Sequence, residues 1–398
     1  MVNNTNQLLL QAQSAENTAD WSSLIHYLQQ LILQDGLKDP RLVQEVGDLA
    51  LSVLLMGDFQ QRWEIAKVFT RLGEVTIPAL IEILEDEDTD EELCWYTVRI
   101  LGELKNPKAI ASVIELLKHQ KNEELASTAA AALGQMGKEA IAALSELLLQ
   151  ENTRLLAVRS LSYIRCKETI PPLLSVVEDP EVTIRAAVIE ALSSFHNEQV
   201  APILLAALND VSAIVRKEAV TGLGFRADLC QQLDLVAKLQ PSLYDLNLEV
   251  CCAAAVALSR MQTDKSAQYL FKVLISPHTP LKLQIEAIRA LGWLSTPTGL
   301  EYLQQAFYQH CSPTLWQEIV TVLGRVQAPI TAQASEILLK ILELNHPAIE
   351  IPSIKSAIAL SLGQLGCLCA IKPLTKLSVD QNTTVKLHAI AALKNLTY

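Results

Sequence analysis

The sequence predicts an all-α protein: a solenoid of about eleven helix pairs over residues 59–398, preceded by a helical N-terminal cap over residues 1–58. Three observations predict it. First, hydrophobic residues make up 50% of the chain and aromatics only 5%, so the apolar surface is mostly Leu, Ala, Ile and Val; Leu and Ala are strong helix formers. Second, one segment recurs. "CWYTVRILGEL" (Cys94–Leu104) has relatives in "VRKEAVTGLGF", "VCCAAAVALSRM", "LQIEAIRALGWL", "IKSAIALSLGQL" and "VKLHAIAALKNL". Third, each copy is followed by another short apolar segment, such as "TIPALIEIL", "AIASVIELLK" or "AIKPLTKLSVD".

A leucine, followed by a small residue in every copy but the last, marks each copy. It falls at Leu72, Leu101, Leu133, Leu161, Leu192, Leu223, Leu258, Leu291, Leu323, Leu362 and Leu393, at gaps of 29, 32, 28, 31, 31, 35, 33, 32, 39 and 31. A unit therefore reads as two antiparallel helices of roughly three turns. The small residue after the marker, often Gly, ends the first helix or lets the neighbouring backbone approach. Pro171, Pro172, Pro202 and Pro373 fall in the first turn of second helices, where a missing N–H costs little. One such pair cannot bury its faces alone, so pairs stack on a continuous core.

A polar pattern runs with the leucines. Asp88, Asp179, Asp210, Asp245 and Asp380 each stand thirteen residues before a marker; Arg154, Arg185, Arg216 and Lys386 stand seven before one. The aspartate position suits an N-cap, and the two charges suit a ladder between neighbouring units, a structural role needing no substrate.

Residues 1–58 lack the marker. "WSSLIHYLQQLIL" and "PRLVQEVGDLALSVLL" carry helix-period apolar residues and read as the cap that a solenoid end requires, with docking of a partner as the alternative. The N-terminus has neither the basic segment nor the long apolar run of a signal peptide, and no membrane-spanning stretch is apparent. A net charge of −12 disfavours nucleic acid and anionic membrane surfaces. Eight irregularly spaced cysteines do not read as a disulfide framework. Together these predict a soluble protein of a reducing cytoplasm.

Signatures of catalysis are sparse: no Gly-rich phosphate loop, no His-Glu-x-x-His and no Gly-x-Ser-x-Gly. Two chemical signals are left. "SLGQLGCLCAIKPL" (Ser361–Leu374) places Cys367 and Cys369 in a glycine-containing turn, where two thiolates can converge as metal ligands or pack as small apolar residues. They supply half of what an iron–sulfur cluster or structural zinc normally needs, so a cluster here would be shared with another chain. Cys251 and Cys252 sit within a helix and point about 100° apart. Cys166 and Cys367, six units apart, lie on the order of 60 Å from each other at about 10 Å per unit. The second signal is the acidic loop "LEDEDTDEELCW" (Leu84–Trp95), beside Trp95, Tyr96 and Arg99, which reads as a solvated face or as a partner-binding rim with aromatic anchors.

"DPEVTIRAAVIEAL" (Asp179–Leu192) and "DVSAIVRKEAVTGLG" (Asp210–Gly224) resemble the HEAT-repeat superfamily, in particular the branch of PBS-lyase HEAT-like repeats, over residues 59–398. The resemblance implies a right-handed superhelical solenoid. "DEDTDEELCWYTVRILGEL" (Asp86–Leu104) is similar to cyanobacterial HEAT proteins related to bilin lyase subunits, departing from them at Cys94, where they often carry Arg. Length, N-terminal extension and cysteine content also resemble the cyanobacterial HEAT-repeat proteins of the IaiH type. That resemblance implies a non-enzymatic scaffold partnering an A-type iron–sulfur carrier (IscA), with a [2Fe-2S] cluster held jointly. The alternatives are a phycobilin lyase subunit or bilin chaperone acting on phycobiliproteins of the phycobilisome, and an adaptor without cofactor. Deoxyhypusine hydroxylase, a HEAT-fold enzyme, holds iron through His-Glu pairs; this chain has no His-Glu dipeptide and its seven histidines are scattered.

Overall fold

A computed structural model describes residues 2–33, 39–119, 122–310, 312–344 and 346–397, and every regular element among them is helical. The chain divides into two compact units, Met1–Phe195 and His196–Tyr398.

The first unit opens with helices Val2–Asn17, Trp21–Leu33 and Pro40–Met56, which belong to the same compact unit as the first repeats. Four helix pairs follow: Phe59–Leu72 with Ile77–Glu85, Glu91–Leu104 with Ile110–His119, Glu123–Met136 with Ile141–Leu147, and Glu151–Tyr163 with Ile170–Leu174. Helix Val182–Ser193 ends the unit. In the second unit Val200–Ala207 precedes pairs led by Ala213–Gly224, Leu248–Arg260, Leu281–Trp293, Pro313–Leu323 and Pro352–Leu365. The eleventh marker lies in Thr383–Thr397, which closes the described chain without a second helix. Within each unit, first helices pack on first helices.

The marker leucines form the spine. Leu101, Leu133, Leu161, Leu192, Leu223, Leu258, Leu291, Leu323 and Leu362 are fully buried. Leu393, on the terminal helix, is only half-buried. The second helices are often shorter than the expected three turns: Ile170–Leu174 and Leu235–Leu239 have 5 residues each. A 3-10 turn leads into several of them, as at Lys167–Thr169 and Leu368–Ala370, which uses part of the apolar run before the α-helix begins.

The glycines divide between the two expected roles. Gly73, Gly137 and Gly366 have φ near +70 to +80° and end their helices. Several others allow close approach. A Cβ on Gly102 would meet Ala132 Cα at 2.9 Å, one on Gly224 would meet Ala257 Cα at 3.0 Å, and one on Gly363 would meet Ala392 Cα at 2.8 Å. In each case the residue after one marker faces the residue before the next, so two small residues make the seam between repeats.

The polar ladder exists, in a modified form. Arg154 reaches Asp179 at 2.8 Å, Arg216 grips both oxygens of Asp245 at 2.7 and 2.8 Å, and Lys355 meets Asp380 at 3.1 Å. Each cation thus pairs with the aspartate of the following repeat. The aspartates are not N-caps, contrary to the sequence expectation. They lie two residues earlier and accept the amide of the cap or cap-site residue: Glu181 N–H to Asp179 at 2.8 Å, Asn247 N–H to Asp245 at 2.8 Å. An aspartate there braces the loop and faces the previous repeat, which a true cap position would not allow. Asp88 stands outside the ladder; Asp90 caps Glu91–Leu104 and lies 3.6 Å from Arg62.

The position seven before the marker has a further task in six of the repeats. Its side chain donates to a carbonyl at the end of the preceding helix or in the loop after it: Arg154 to Leu148 (2.7 Å), Arg185 to Asp179 (2.8 Å), Arg216 to Asp210 (2.8 Å), Cys251 to Asp245 (3.1 Å), Gln284 to Leu274 (3.1 Å) and Trp316 to Phe307 (2.9 Å). Four chemically different donors satisfy carbonyls between one repeat's second helix and the next repeat's first, which explains why the basic residue is replaceable.

Because the Arg216 guanidinium hydrogen-bonds it, the Asp245 carboxyl is held below its ordinary value. A lowered folded-state value adds stability above the unfolded pKa, about 3.9, and that stability is lost as pH falls through the folded value. Arg216→Gln is therefore expected to cost about 1–2 kcal/mol near neutrality and less in strong acid. Denaturant melts of both proteins across pH 2–7 check this; a pH-independent difference would exclude the ion pair as its source.

Candidate functional site

The acidic loop and its aromatics form a structured surface in the first unit. Trp95 is half-exposed and lines a hollow of about 290 Å³ with Phe59, Glu91, Glu92, Glu124 and Leu125. Arg99 lies 4.0 Å above the Trp63 ring and 5.6 Å from the Trp95 ring, and pairs with Glu103 at 3.4 Å. Its guanidinium thus braces two tryptophans from successive first helices, a cation–π arrangement, and its side chain remains one-third exposed.

Tyr96 corrects the sequence reading. It is fully buried, makes an edge contact with Phe59 at 5.7 Å, and donates its hydroxyl to the Phe59 carbonyl at 2.9 Å. Trp95 and Tyr96 are successive helical residues about 100° apart, so one faces solvent while the other enters the core. Phe59 and Trp63 were missed from the sequence. They come from the preceding repeat, and only the stacking of first helices brings them to Trp95.

A larger acidic groove of about 600 Å³ lies beside it, lined by Glu85, Asp86, Glu87, Glu91 and Cys94, among others. Cys94 occupies the position seven before its marker that several other repeats give to arginine. It is buried, and burial together with the nearby Asp90 and Glu91 carboxylates pushes its thiol up.

Most other thiols are also held protonated. Burial raises Cys166, Cys230 and Cys251, and pushes Cys252 up to about 11. A protonated thiol is a poor ligand and nucleophile. Cys251 and Cys252 sit one after the other in helix Leu248–Arg260, with Cys251 spent on the Asp245 carbonyl.

Cys367 and Cys369 differ from these. They occupy the turn after Pro352–Leu365, with Cys367 half-buried and Cys369 exposed, and their sulfurs are joined in a disulfide with Cα atoms 5.3 Å apart. The glycine-ended turn does bring both sulfurs together. The bond departs from the expectation of an entirely reduced set of cysteines; it closes a single turn and staples no distant segments.

Two histidines serve the fold. The His346 ring accepts the Ala348 amide at 3.2 Å and packs among Phe307, Tyr308 and Trp316, where burial lowers its pKa. His310 is likewise lowered by burial. No described helix is long and apolar enough to cross a membrane.

Comparison with known proteins places HEAT repeats at residues 77–156 and 150–224. No curated protein matches the sequence. Among solved structures, the chain is similar to a Kap121p mutant at 12% identity and a TM-score of 0.55, covering 94% of this chain and 49% of that one. This likeness concerns the fold: a helical-repeat architecture of about half the length of that chain. Human deoxyhypusine hydroxylase matches at 18% identity over 67% of this chain and 97% of its own, with a TM-score of 0.30. A chain from a structure of the phosphorylation switch that controls the cadherin–β-catenin interaction matches at 14% identity over 95% and 98%, with a TM-score of 0.37. The last two scores are too low to support an argument.

Proposed function

We propose that this chain is a non-enzymatic protein-binding scaffold of the IaiH type, whose partner is an A-type iron–sulfur carrier and whose [2Fe-2S] cluster is shared between the two proteins. The observation that carries the reading is the Cys367–Cys369 pair, two sulfurs brought together at an exposed turn. Two electrons and two protons convert the disulfide to two thiols, and ionisation of both gives half of a four-ligand cluster set. Among the described residues no His, Cys, Asp or Glu joins them to make a group of three, so the partner supplies the rest. A reducing cytoplasm keeps the pair in this form. The hollow at Trp95 and Phe59, rimmed by carboxylates, suits a basic side chain of a protein partner, and the three N-terminal helices cap the first repeat.

The test mixes the thiol-reduced protein with an A-type carrier, iron and sulfide under anaerobic conditions. The complex is expected to turn brown with a charge-transfer band, while the scaffold alone retains iron weakly. Cys367→Ser together with Cys369→Ser should abolish cluster retention and leave the helical signal intact, because the turn lies at the surface. Cys166→Ser and Cys230→Ser should change nothing. Full cluster content in the double variant would sink the assignment. A blue complex with phycobiliprotein, absorbing red light, would move the function to bilin handling; a native complex without colour would identify an adaptor without cofactor.

A further inference from the structure

The second unit contains a groove of about 480 Å³ along the exposed face of Pro352–Leu365, between Pro313–Leu323 and Thr383–Thr397. Its lining is unusual for a chain of net charge −12. It includes Arg325 and His388, several hydroxyls and amides, and no carboxylate. Arg325 is exposed and makes no ion pair among the described residues; the neighbouring Lys355, by contrast, is committed to Asp380.

Two buried polar atoms in this lining lack partners. Ser356 is 4% exposed and its Oγ makes no hydrogen bond; His388 Nδ1 is likewise buried and unbonded. A buried polar atom without a partner costs about 1–3 kcal/mol, so an unpaired hydroxyl and an unpaired ring nitrogen in a groove that also holds the Arg325 guanidinium mark a place prepared for a ligand. Ser353 and Thr384 add hydroxyls at the far end of the groove, in the first turns of helices of 14 and 15 residues. No Phe, Tyr or Trp lines the groove, so a stacked base or aromatic ring has nothing to rest on.

We infer that this groove binds an oxyanion, a carboxylate or phosphate group, with Arg325 as its ion-pair partner and Ser356 and His388 as hydrogen-bonding partners. The volume is that of a small-molecule site. The inference is independent of the scaffold reading and holds whether or not the cysteine pair carries a cluster. The oxyanion can come from a free small ion or from an acidic side chain of a protein, and the test separates these sources.

Isothermal titration would use three probes on the full chain: inorganic phosphate, citrate and a hexaglutamate peptide. At least one is expected to bind with one-to-one stoichiometry. Arg325→Gln should weaken that binding at least tenfold, the loss of one charge-assisted pair, and Ser356→Ala should weaken it severalfold. Lys376→Gln, which removes an exposed cation outside the groove, should leave it unchanged. Binding of phosphate or citrate identifies a free ion as the source; binding of hexaglutamate alone identifies a protein side chain. Because Arg325 has no ion pair to lose, its variant should melt with the wild type; Ser356→Ala provides the same reading if it does not. Absence of binding by all three probes, or equal weakening by Lys376→Gln, would overturn the assignment.

Discussion

Leu258→Ala is expected to destabilise the second unit by about 2–5 kcal/mol, the range for a buried leucine truncation. Leu258 is fully buried in helix Leu248–Arg260, which packs on Ala213–Gly224 before it and Leu281–Trp293 after it. Ala254 and Ala255, one turn before it, are at zero exposure, and methyl groups on a backbone cannot extend to fill the void. Since a repeat touches only its neighbours, the damage should be local. Hydrogen exchange should accelerate first in the two flanking first helices and stay unchanged in Phe59–Leu72. Equal acceleration along the whole chain would mean that the array unfolds as one block.

The second large effect is expected at Gly324. A Cβ there would stand 2.3 Å from Ser361 Oγ, 2.5 Å from Ser361 Cβ and 2.8 Å from its Cα. Backbone cannot yield as a flexible side chain does, and overpacking of this kind costs about 1–3 kcal/mol. Ser361 also donates its buried hydroxyl to the Val320 carbonyl at 3.0 Å, a bond that the displacement would break at a further cost of about 1 kcal/mol. Gly324→Ala should therefore lose about 2–4 kcal/mol in a denaturant melt, with part recovered by adding Ser361→Gly. Gly366→Ala provides the contrast. Its left-handed conformation, φ 70° and ψ 15°, brings strain, but no neighbour lies within 4 Å of the new Cβ, and about 1 kcal/mol is expected. If the two variants cost the same, the seam at Gly324 is looser than the distances imply.

The repeat register was legible because the same physical needs recur in most units. A leucine must reach the spine, a small residue must let the next helix approach, and a carbonyl before the first helix must find a donor. Each need leaves a residue at a fixed offset. The exact aspartate role was less legible: a residue two positions before the cap and the cap itself carry the same letters, and only the direction of the side chain separates them. Tyr96 was misplaced because an aromatic beside an acidic loop looks alike whether it faces out or in. Phe59 and Trp63 escaped since contacts between repeats join residues some thirty positions apart. Arg325, Ser356 and His388 escaped for a similar reason, although serines at 353, 356 and 361 on a helix otherwise rich in aliphatic residues gave a faint signal. The convergence of Cys367 and Cys369 was readable from the turn glycine, because two residues separated by one position in a turn need no distant segment to meet.

The seams between repeats restrict how such a chain can change its length over evolution. Gly292 receives Val322, whose Cγ1 would lie 2.2 Å from an added Cβ, whereas Ser259 stands at the position corresponding to Gly292 one repeat earlier. Excising the repeat between them by unequal recombination would set a serine side chain against that valine and create a clash at the new junction. Duplicating a repeat raises the same problem wherever the two copies meet with unmatched sizes. Repeats of this kind are not interchangeable beads: each is keyed to its neighbour, and a gain or loss of one survives only where the glycine and the residue that fills its space travel together.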